Sequence, residues 1–264
     1  MYLFKLSKIS AVIVILFFCC SFSKIEKNLS LEYYQLTVYH CKTEQQLLMA
    51  SDYLKNVYLP ALHHFGLSNI GVFVAINNDT AVDKKLYLII PFGTIQKYEK
   101  FSNELTAGSL IKDKSSPYIN APHNSPSYDR MEIIFLKSFK MMPRLKTPSL
   151  KTPLSERVYE LRSYESSTER LKRQKIHMFN EGGEIKLFEK LHFNAVFYSE
   201  VLSGDRIPNL MYMTTFNNKS DRDQHWKNFS SDSTWKRIST LPEYLNTVSK
   251  ADISFLRPTD FSDF

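Results

Sequence analysis

The residues best suited to chemistry lie on one predicted strand, residues 157–164. Side chains alternate between the two faces of a strand, so Glu160, Arg162 and Tyr164 share one face and Leu161 lies on the other. A carboxylate two residues from a guanidinium can pair with it, which would keep Glu160 ionised and orient Arg162 toward an acidic or carbonyl-bearing ligand. In an enzyme, Glu160 or a nearby histidine would be the base and Arg162 would stabilise negative charge. A structural ion pair is the alternative.

A second candidate is the neighbouring pair His40 and Cys41, which together suggest a nucleophile and its base. Adjacent strand residues point to opposite faces, so a buried or edge thiol is the favoured interpretation. The other two cysteines, Cys19 and Cys20, lie in the N-terminal segment, which leaves no disulfide within the remaining chain. The histidines show no metal-ligand spacing, so we expect neither a metal nor a cofactor.

These candidates belong to a pattern that occurs twice in the chain. Tyr34–Tyr39 matches Tyr159–Tyr164 at an offset of 125 residues, whereas Phe135–Lys137 matches Phe255–Arg257 at an offset of 120. Such self-similarity predicts two copies of one folded unit. Further pairs at the offset of 125 are Asn69 with Asn194, Tyr87 with Tyr212, and Phe101 with Trp226.

Hydrophobic periodicity predicts the order β-α-β-β-α-β in each copy. We place the first repeat at 30–140, a connector rich in proline and lysine at 141–156, and the second repeat at 157–260. Such a unit leaves one face of its sheet without helices. We therefore predict an α+β protein of tandem ferredoxin-like repeats, whose open sheet faces pack as an intrachain dimeric α+β barrel. Two units side by side are the alternative.

A candidate site follows from the assignment of strand faces. We assign the Leu161 face to the helices, so the opposite face should point into the space between the copies. The corresponding positions of the first copy hold the uncharged Gln35 and Thr37, so a pocket should be centred on the second copy. Trp226 and Trp235 are interpreted as core anchors. The predicted ligand-binding residues are Tyr39, Glu160, Arg162, Tyr164 and Tyr212, with Glu160 and Arg162 as catalytic candidates.

The second half resembles a known family. The segments that carry the resemblance are Tyr159–Tyr164, Tyr212–Phe216, Arg222, Trp226, Asp232–Trp235 and Leu256–Pro258. They are similar to the NIPSNAP family over roughly residues 157–258, and the resemblance is weak over 30–140. It implies ferredoxin-like units of the dimeric α+β barrel superfamily. That superfamily includes monooxygenases, haem enzymes and plain binding proteins, so the resemblance implies no particular activity.

The N-terminus resembles a targeting signal. Lys5 and Lys8 precede the apolar run Ile9–Phe18, which is shorter than the roughly 20 residues of a membrane-spanning helix. We interpret 1–23 as a signal peptide or a lipoprotein signal. The protein would then be exported: periplasmic or a membrane-anchored lipoprotein if bacterial, and otherwise secreted. Contact with a membrane is expected only through an N-terminal lipid.

Composition narrows the functional classes. With 43% hydrophobic and 23% charged residues the chain has a globular composition. The formal net charge of +7 is concentrated in the connector region, so we expect no nucleic-acid partner. We predict a binding module for a small organic ligand or a peptide in the cleft between the repeats. The alternatives are a cofactor-independent monooxygenase or isomerase, and a protein-protein scaffold.

The mass of the mature chain tests the targeting hypothesis. Cleavage near residues 21–23 gives an unmodified chain, whereas processing before Cys19 or Cys20 gives a chain that begins with a lipid-bearing cysteine. Intact-mass spectrometry of protein recovered from the native host distinguishes the two. Recovery of the full-length, uncleaved chain would contradict both.

Overall fold

The computed structural model describes residues 30–264 and forms two halves. In the first half three helical segments follow one another almost without interruption between the first two strands, because a five-residue π-helical turn joins two α-helices. The elements are β1 (Tyr33–Cys41), α1 (Glu44–Tyr53), the π-helix (Leu54–Tyr58), α2 (Leu59–His64), β2 (Gly71–Ala75), β3 (Lys84–Phe92), α3 (Ile95–Thr106) and β4 (Arg130–Ser138).

The second half repeats this order with more divided helices. Its elements are β5 (Val158–Glu165), α4 (Glu169–Asn180), α5 (Glu184–Lys190), β6 (Asn194–Ser203), β7 (Asn209–Phe216), α6 (Lys219–Ser231), α7 (Ser233–Ile238), a 3-10 helix (Pro242–Tyr244) and β8 (Lys250–Pro258). The order β-α-β-β-α-β is therefore confirmed in both halves.

The two sheets join into one closed barrel with the strand order β1-β3-β2-β8-β5-β7-β6-β4. Each half contributes four antiparallel strands, and the edge strands pair across the halves. Ala75 of β2 lies opposite Leu256 of β8, and Leu136 of β4 lies opposite Val201 of β6. Among the eight strands of residues 30–264, closure leaves no unpaired edge. The predicted α+β barrel is thus confirmed, with the helices outside and the open faces inside.

Local signals explain where the helices begin and end. The side chain of Thr43 caps α1, and Leu47, Leu54 and Leu62 form a buried stripe along the three helical segments. In the second half the side chain of Thr168 caps α4, where it accepts a hydrogen bond from the backbone of Leu171. The helix then breaks where Gly183 adopts a φ of 98°, a conformation that favours glycine.

Strand pairing refines the offset between the halves. Gln35 lies opposite Phe135 and Glu160 lies opposite Phe255, which agrees with offsets of 125 and 120. For β3 and β7 the offset is 124, because Val38 pairs with Tyr87 but Ser163 pairs with Met211. The predicted equivalence of Tyr87 and Tyr212 is therefore wrong. Tyr87 faces the barrel interior, whereas Tyr212 packs under the helices of the second half.

The barrel interior is the shared core of the two halves. Tyr34, Leu36, Phe73, Tyr159 and Phe197 pack there with further apolar residues from both halves. Two separate cores fill the space between each sheet and its helices. The C-terminal segment adds another link, because Asp263 accepts a hydrogen bond from the backbone of Ile70 at 2.8 Å and Phe264 packs against Phe73 and Tyr159.

The predicted targeting segment lies outside the described residues. Between residues 30 and 264, none of the helices is both long and apolar enough to cross a membrane.

Two substitutions on β8 test the shared core. Leu256 is fully buried in the barrel interior, so Leu256→Ala should lower the free energy of unfolding by about 3 kcal/mol. Ile253 lies on the opposite face and is 41% exposed, so Ile253→Ala should cost about 1 kcal/mol or less. Urea unfolding measures both. Equal losses of unfolding free energy in the two variants would contradict the role of the barrel interior as a core shared by both halves.

Candidate functional site

The predicted assignment of strand faces is wrong, and the candidate site moves with it. Leu161 points into the barrel, where it packs with residues of both halves. Glu160 and Arg162 point toward α6, and Tyr164 and Tyr212 pack with the helical core of the second half. The charged pair fits on this side because α6 brings complementary donors, whereas the interior offers mainly apolar neighbours.

Glu160 is fully buried, and nitrogen donors surround its carboxylate. Arg162 approaches Oε1 with Nε at 2.7 Å and Nη2 at 2.6 Å. Arg222 donates to both oxygens, from Nε to Oε2 at 2.7 Å and from Nη2 to Oε1 at 2.9 Å. Trp226 donates from Nε1 to Oε2 at 2.8 Å. The network ties β5 to α6 within the second half.

The donors around Glu160 oppose its protonation. Burial disfavours the carboxylate, but hydrogen bonds from Arg222 and Trp226 and the charge of Arg162 outweigh burial, so the pKa of Glu160 lies below its ordinary value. A carboxylate with a lowered pKa and no free lone pair is a poor general base. The arrangement suits a buried structural ion pair.

The remaining members extend the same network or lie elsewhere. Arg162 stacks over the ring of Trp226 at 3.7 Å and donates to the Tyr164 hydroxyl at 2.7 Å. That hydroxyl lies 2.9 Å from the hydroxyl of Tyr212. Tyr39, the fifth predicted ligand-binding residue, does not belong to this network. It lies in the helical core of the first half, beside two other tyrosines.

The neighbours His40 and Cys41 lie on opposite faces, as strand alternation predicts. Cys41 is buried under the helices of the first half, where burial and nearby carboxylates raise its pKa to about 11. Its thiol is therefore a poor nucleophile near neutral pH. His40 instead faces the interior, at the wall of a cavity.

This cavity opens at one end of the barrel and has a volume of about 380 Å³. Strands of both halves form it, so it occupies the space between the halves in which the sequence predicted a site. Its apolar wall consists of Val38, Ile134, Leu161, Val201 and Met211. Its polar and charged lining consists of His40, Lys85, Tyr87, Glu132, Ser163, Asp205, Arg206, Asn209, Asp252 and Ser254.

Four side chains supply the uncharged polar groups of the cavity. The Asn209 amide donates to Ser163 Oγ at 2.8 Å, and the Tyr87 hydroxyl lies 3.4 Å from Ser254 Oγ. Asn209 is only 3% exposed, and its Oδ1 has no hydrogen-bond partner among the described residues. Burial raises the pKa of Tyr87, so its hydroxyl stays protonated. The cavity thus presents hydroxyl groups, and one of its lining side chains keeps a buried acceptor without a partner.

Ion pairs surround the opening. His40 lies between two carboxylates, with Nδ1 2.9 Å from Asp83 and Nε2 3.3 Å from Glu132. On the opposite side Arg206 pairs with Glu165 and with Asp252.

Sequence reasoning missed most of these residues, although a signal exists. On the interior face of β5, β7 and β8 the side chains change from apolar to polar toward one end of each strand. Ser163 follows Leu161 on β5, Asn209 precedes Met211 on β7, and Ser254 precedes Leu256 on β8. Once the interior face is known, this polarity gradient marks the polar end of the barrel.

Comparison with solved structures places the fold in a known class. A candidate monooxygenase from Lactobacillus acidophilus NCFM is similar with a TM-score of 0.55 and 11% identity, over 87% of this chain and 94% of that one. An anthrone oxidase-like protein has a TM-score of 0.51 and 8% identity, over 87% and 92%. At these identities the likeness concerns the fold alone, that of a dimeric α+β barrel.

The family comparison concerns the second half. Residues 159–263 match the NIPSNAP family, which confirms the resemblance predicted for this half. No curated protein sequence matches the chain.

The Glu160 network gives a stability prediction with a defined pH dependence. Glu160→Gln should lower the free energy of unfolding by about 3 kcal/mol at pH 7, because it leaves buried guanidinium groups without their counter-charge. A lowered folded-state pKa stabilises the fold above the unfolded value, about 4.3, and this contribution disappears as pH falls through the folded value.

The difference between wild type and Glu160→Gln should therefore be constant above about pH 5 and narrow below about pH 4. Urea unfolding between pH 7 and pH 3 measures it, with Glu99→Gln, an exposed position on α3, as the control. A difference that widens on acidification would contradict the proposed ionisation of Glu160.

Proposed function

We propose that this NIPSNAP-like protein is a binding module whose ligand is a small organic molecule held in the cavity at the end of the barrel. The observation that carries the proposal is the cavity itself, which both halves line and which contains a buried amide oxygen without a partner. Buried acceptors without donors are rare in folded proteins, and a bound molecule is one way to supply the donor.

The dimensions and lining of the cavity support this class of ligand. A volume of about 380 Å³ falls within the roughly 300–1,000 Å³ range of small-molecule sites. An apolar wall beside a few convergent polar groups is the usual composition of such sites. The cavity therefore offers both contact area and orientation to a compact molecule.

A small molecule fits better than a peptide. Extended peptides commonly bind by adding a strand to an exposed sheet edge. In the described part of this chain all eight strands have partners on both sides, so strand addition has no starting edge. The site must therefore be filled from the end of the barrel.

The enzymatic alternative assigned the role of base to a nearby histidine or to Glu160. The oxygens of Glu160 are occupied by N–H donors, its pKa is lowered, and it faces the helices rather than the cavity. A monooxygenase or isomerase reaction in the cavity would have to use His40, whose two ring nitrogens face Asp83 and Glu132. This arrangement favours binding, although two fold neighbours with TM-scores of 0.55 and 0.50 are described as candidate monooxygenases.

Export remains part of the proposal. It rests on Lys5 and Lys8 before the apolar run Ile9–Phe18. An exported binding module would meet its ligand outside the cytoplasm.

Filling the cavity tests the proposal. The wild-type protein should retain a small molecule on purification or show a thermal shift with members of a metabolite library. Ser254→Phe should abolish either signal, because Ser254 faces the cavity beside Tyr87 and an aromatic ring there occupies the ligand volume. Ser230→Phe, on the exposed side of α6, is the matched control.

Native mass spectrometry and thermal shift provide the readouts. Binding that persists unchanged in Ser254→Phe would place the ligand elsewhere. A wild-type protein that carries nothing and responds to no library member would contradict the binding function.

A further inference from the structure

We infer that the cavity selects organic cations, compounds that carry a protonated amine on a compact apolar skeleton. This inference rests on the ligand-binding function proposed above and adds the charge class of the ligand. Some charged groups of the cavity are already paired within the protein, and others are less engaged.

The guanidinium of Arg206 is occupied by carboxylates of the protein, whereas Lys85 has one longer contact. Arg206 donates from Nε to Glu165 at 2.9 Å and from Nη2 to Asp252. Lys85 Nζ lies 3.5 Å from Asp83. A ligand carboxylate would therefore have to displace an existing ion pair to reach Arg206, and Lys85 is about as engaged as Glu132 on β4. Displacement costs the interaction it replaces, which leaves little gain for an anion at Arg206.

Two carboxylates of the lining are less engaged. Glu132 has a single ionic contact, the His40 nitrogen at 3.3 Å, and its side chain is 34% exposed. Asp205 also lines the cavity, and it is an exposed carboxylate in the turn between β6 and β7. These two groups give the opening an excess of negative charge. An ammonium group can approach them without breaking an ion pair.

The local charge balance agrees with this view. Among the residues that line the cavity the carboxylates are Glu132, Asp205 and Asp252. The permanent cations of the lining are Lys85 and Arg206. Carboxylates thus outnumber permanent cations here in a protein whose formal net charge is +7. The negative opening is therefore a local feature, opposite in sign to the molecule as a whole.

The unpartnered amide oxygen provides an independent argument. Asn209 lines the cavity, is 3% exposed, and donates its amide nitrogen to Ser163, which leaves Oδ1 without a donor. An acceptor of this kind is completed by an N–H or O–H group. A protonated amine supplies several N–H donors, whereas a carboxylate supplies none.

The apolar wall sets the rest of the ligand. Val38, Leu161, Val201 and Met211 form one continuous side of the cavity together with Ile134. A flat aromatic or short aliphatic skeleton would lie against these side chains. An amine with such a skeleton would contact both the apolar wall and the polar groups of the cavity.

Matched probes test the charge class separately from binding itself. The probes are fragments in sets that share one skeleton and differ in charge, such as tyramine, the neutral tyrosol and the anionic 4-hydroxyphenylacetate. Ligand-observed NMR with the mature protein measures their affinities. The amines should bind on the order of tenfold tighter than the carboxylates of the same skeleton.

A charge variant links the preference to the cavity. Glu132→Gln removes one of the less engaged carboxylates and should reduce the ratio of amine to carboxylate affinity about fivefold. Glu99→Gln, an exposed carboxylate on α3 outside the cavity, should leave the ratio unchanged. A loss of folding would lower all affinities together, so the ratio isolates the electrostatic effect.

The outcomes distinguish the two proposals. Equal or tighter binding of neutral and anionic members, abolished by Ser254→Phe, would overturn the preference for cations and keep the binding function. An amine preference that Glu132→Gln does not change would also overturn the assignment to this cavity. The failure of every member, whatever its charge, would overturn the binding function and this inference with it.

Discussion

Every other feature of this fold depends on hiding the helix-free face of each four-stranded sheet from water. One half alone would expose that face together with two unpaired strand edges. Pairing β2 with β8 and β4 with β6 removes the edges, and the two helix-free faces become a single interior. The halves therefore share one hydrophobic core and cannot be regarded as independent domains. The position of the cavity follows from the same closure.

The interior is filled unevenly along the barrel axis. Large rings occupy one region, where Phe264 packs against Phe73 and Tyr159. Toward the other end the inward positions hold smaller or polar side chains such as Ser163, Ser254 and Asn209. Smaller side chains at these positions leave the volume unfilled. A cavity at this end is thus a direct consequence of side-chain size on strands that are otherwise apolar.

The architecture could be predicted from the sequence because it depends on periodicity and self-similarity, which are local properties. The face of each strand could not, because both faces of β5 are buried and polarity alone does not separate them. Glu160 and Leu161 are both buried, yet Glu160 faces the helices and Leu161 faces the barrel interior. The decisive information is the set of donors on α6, which only the folded chain brings to Glu160.

The mistaken equivalence of Tyr87 and Tyr212 has a related cause. A shift of one residue moves a side chain to the other face of a strand, so an alignment at the wrong offset joins residues with different environments. Identical residue types at the offset of 125 therefore conceal the true counterparts, which lie 124 residues apart in these strands. Pairing registers, rather than residue identity, reveal that Tyr87 belongs to the cavity.

The two halves share a framework but use it differently. Position 160 holds a charged residue whose side chain bonds to α6. The side chain of the equivalent Gln35 instead donates to Thr37 on its own strand. In the second half the space between sheet and helices is therefore closed by a network of charges and aromatic rings. Opening it for a ligand would break a buried ion pair, which is costly. A ligand at the end of the barrel would break no such ion pair, because the inward residues there leave volume and hydrogen-bonding groups unused. Chemistry specific to this chain is therefore best sought at that end.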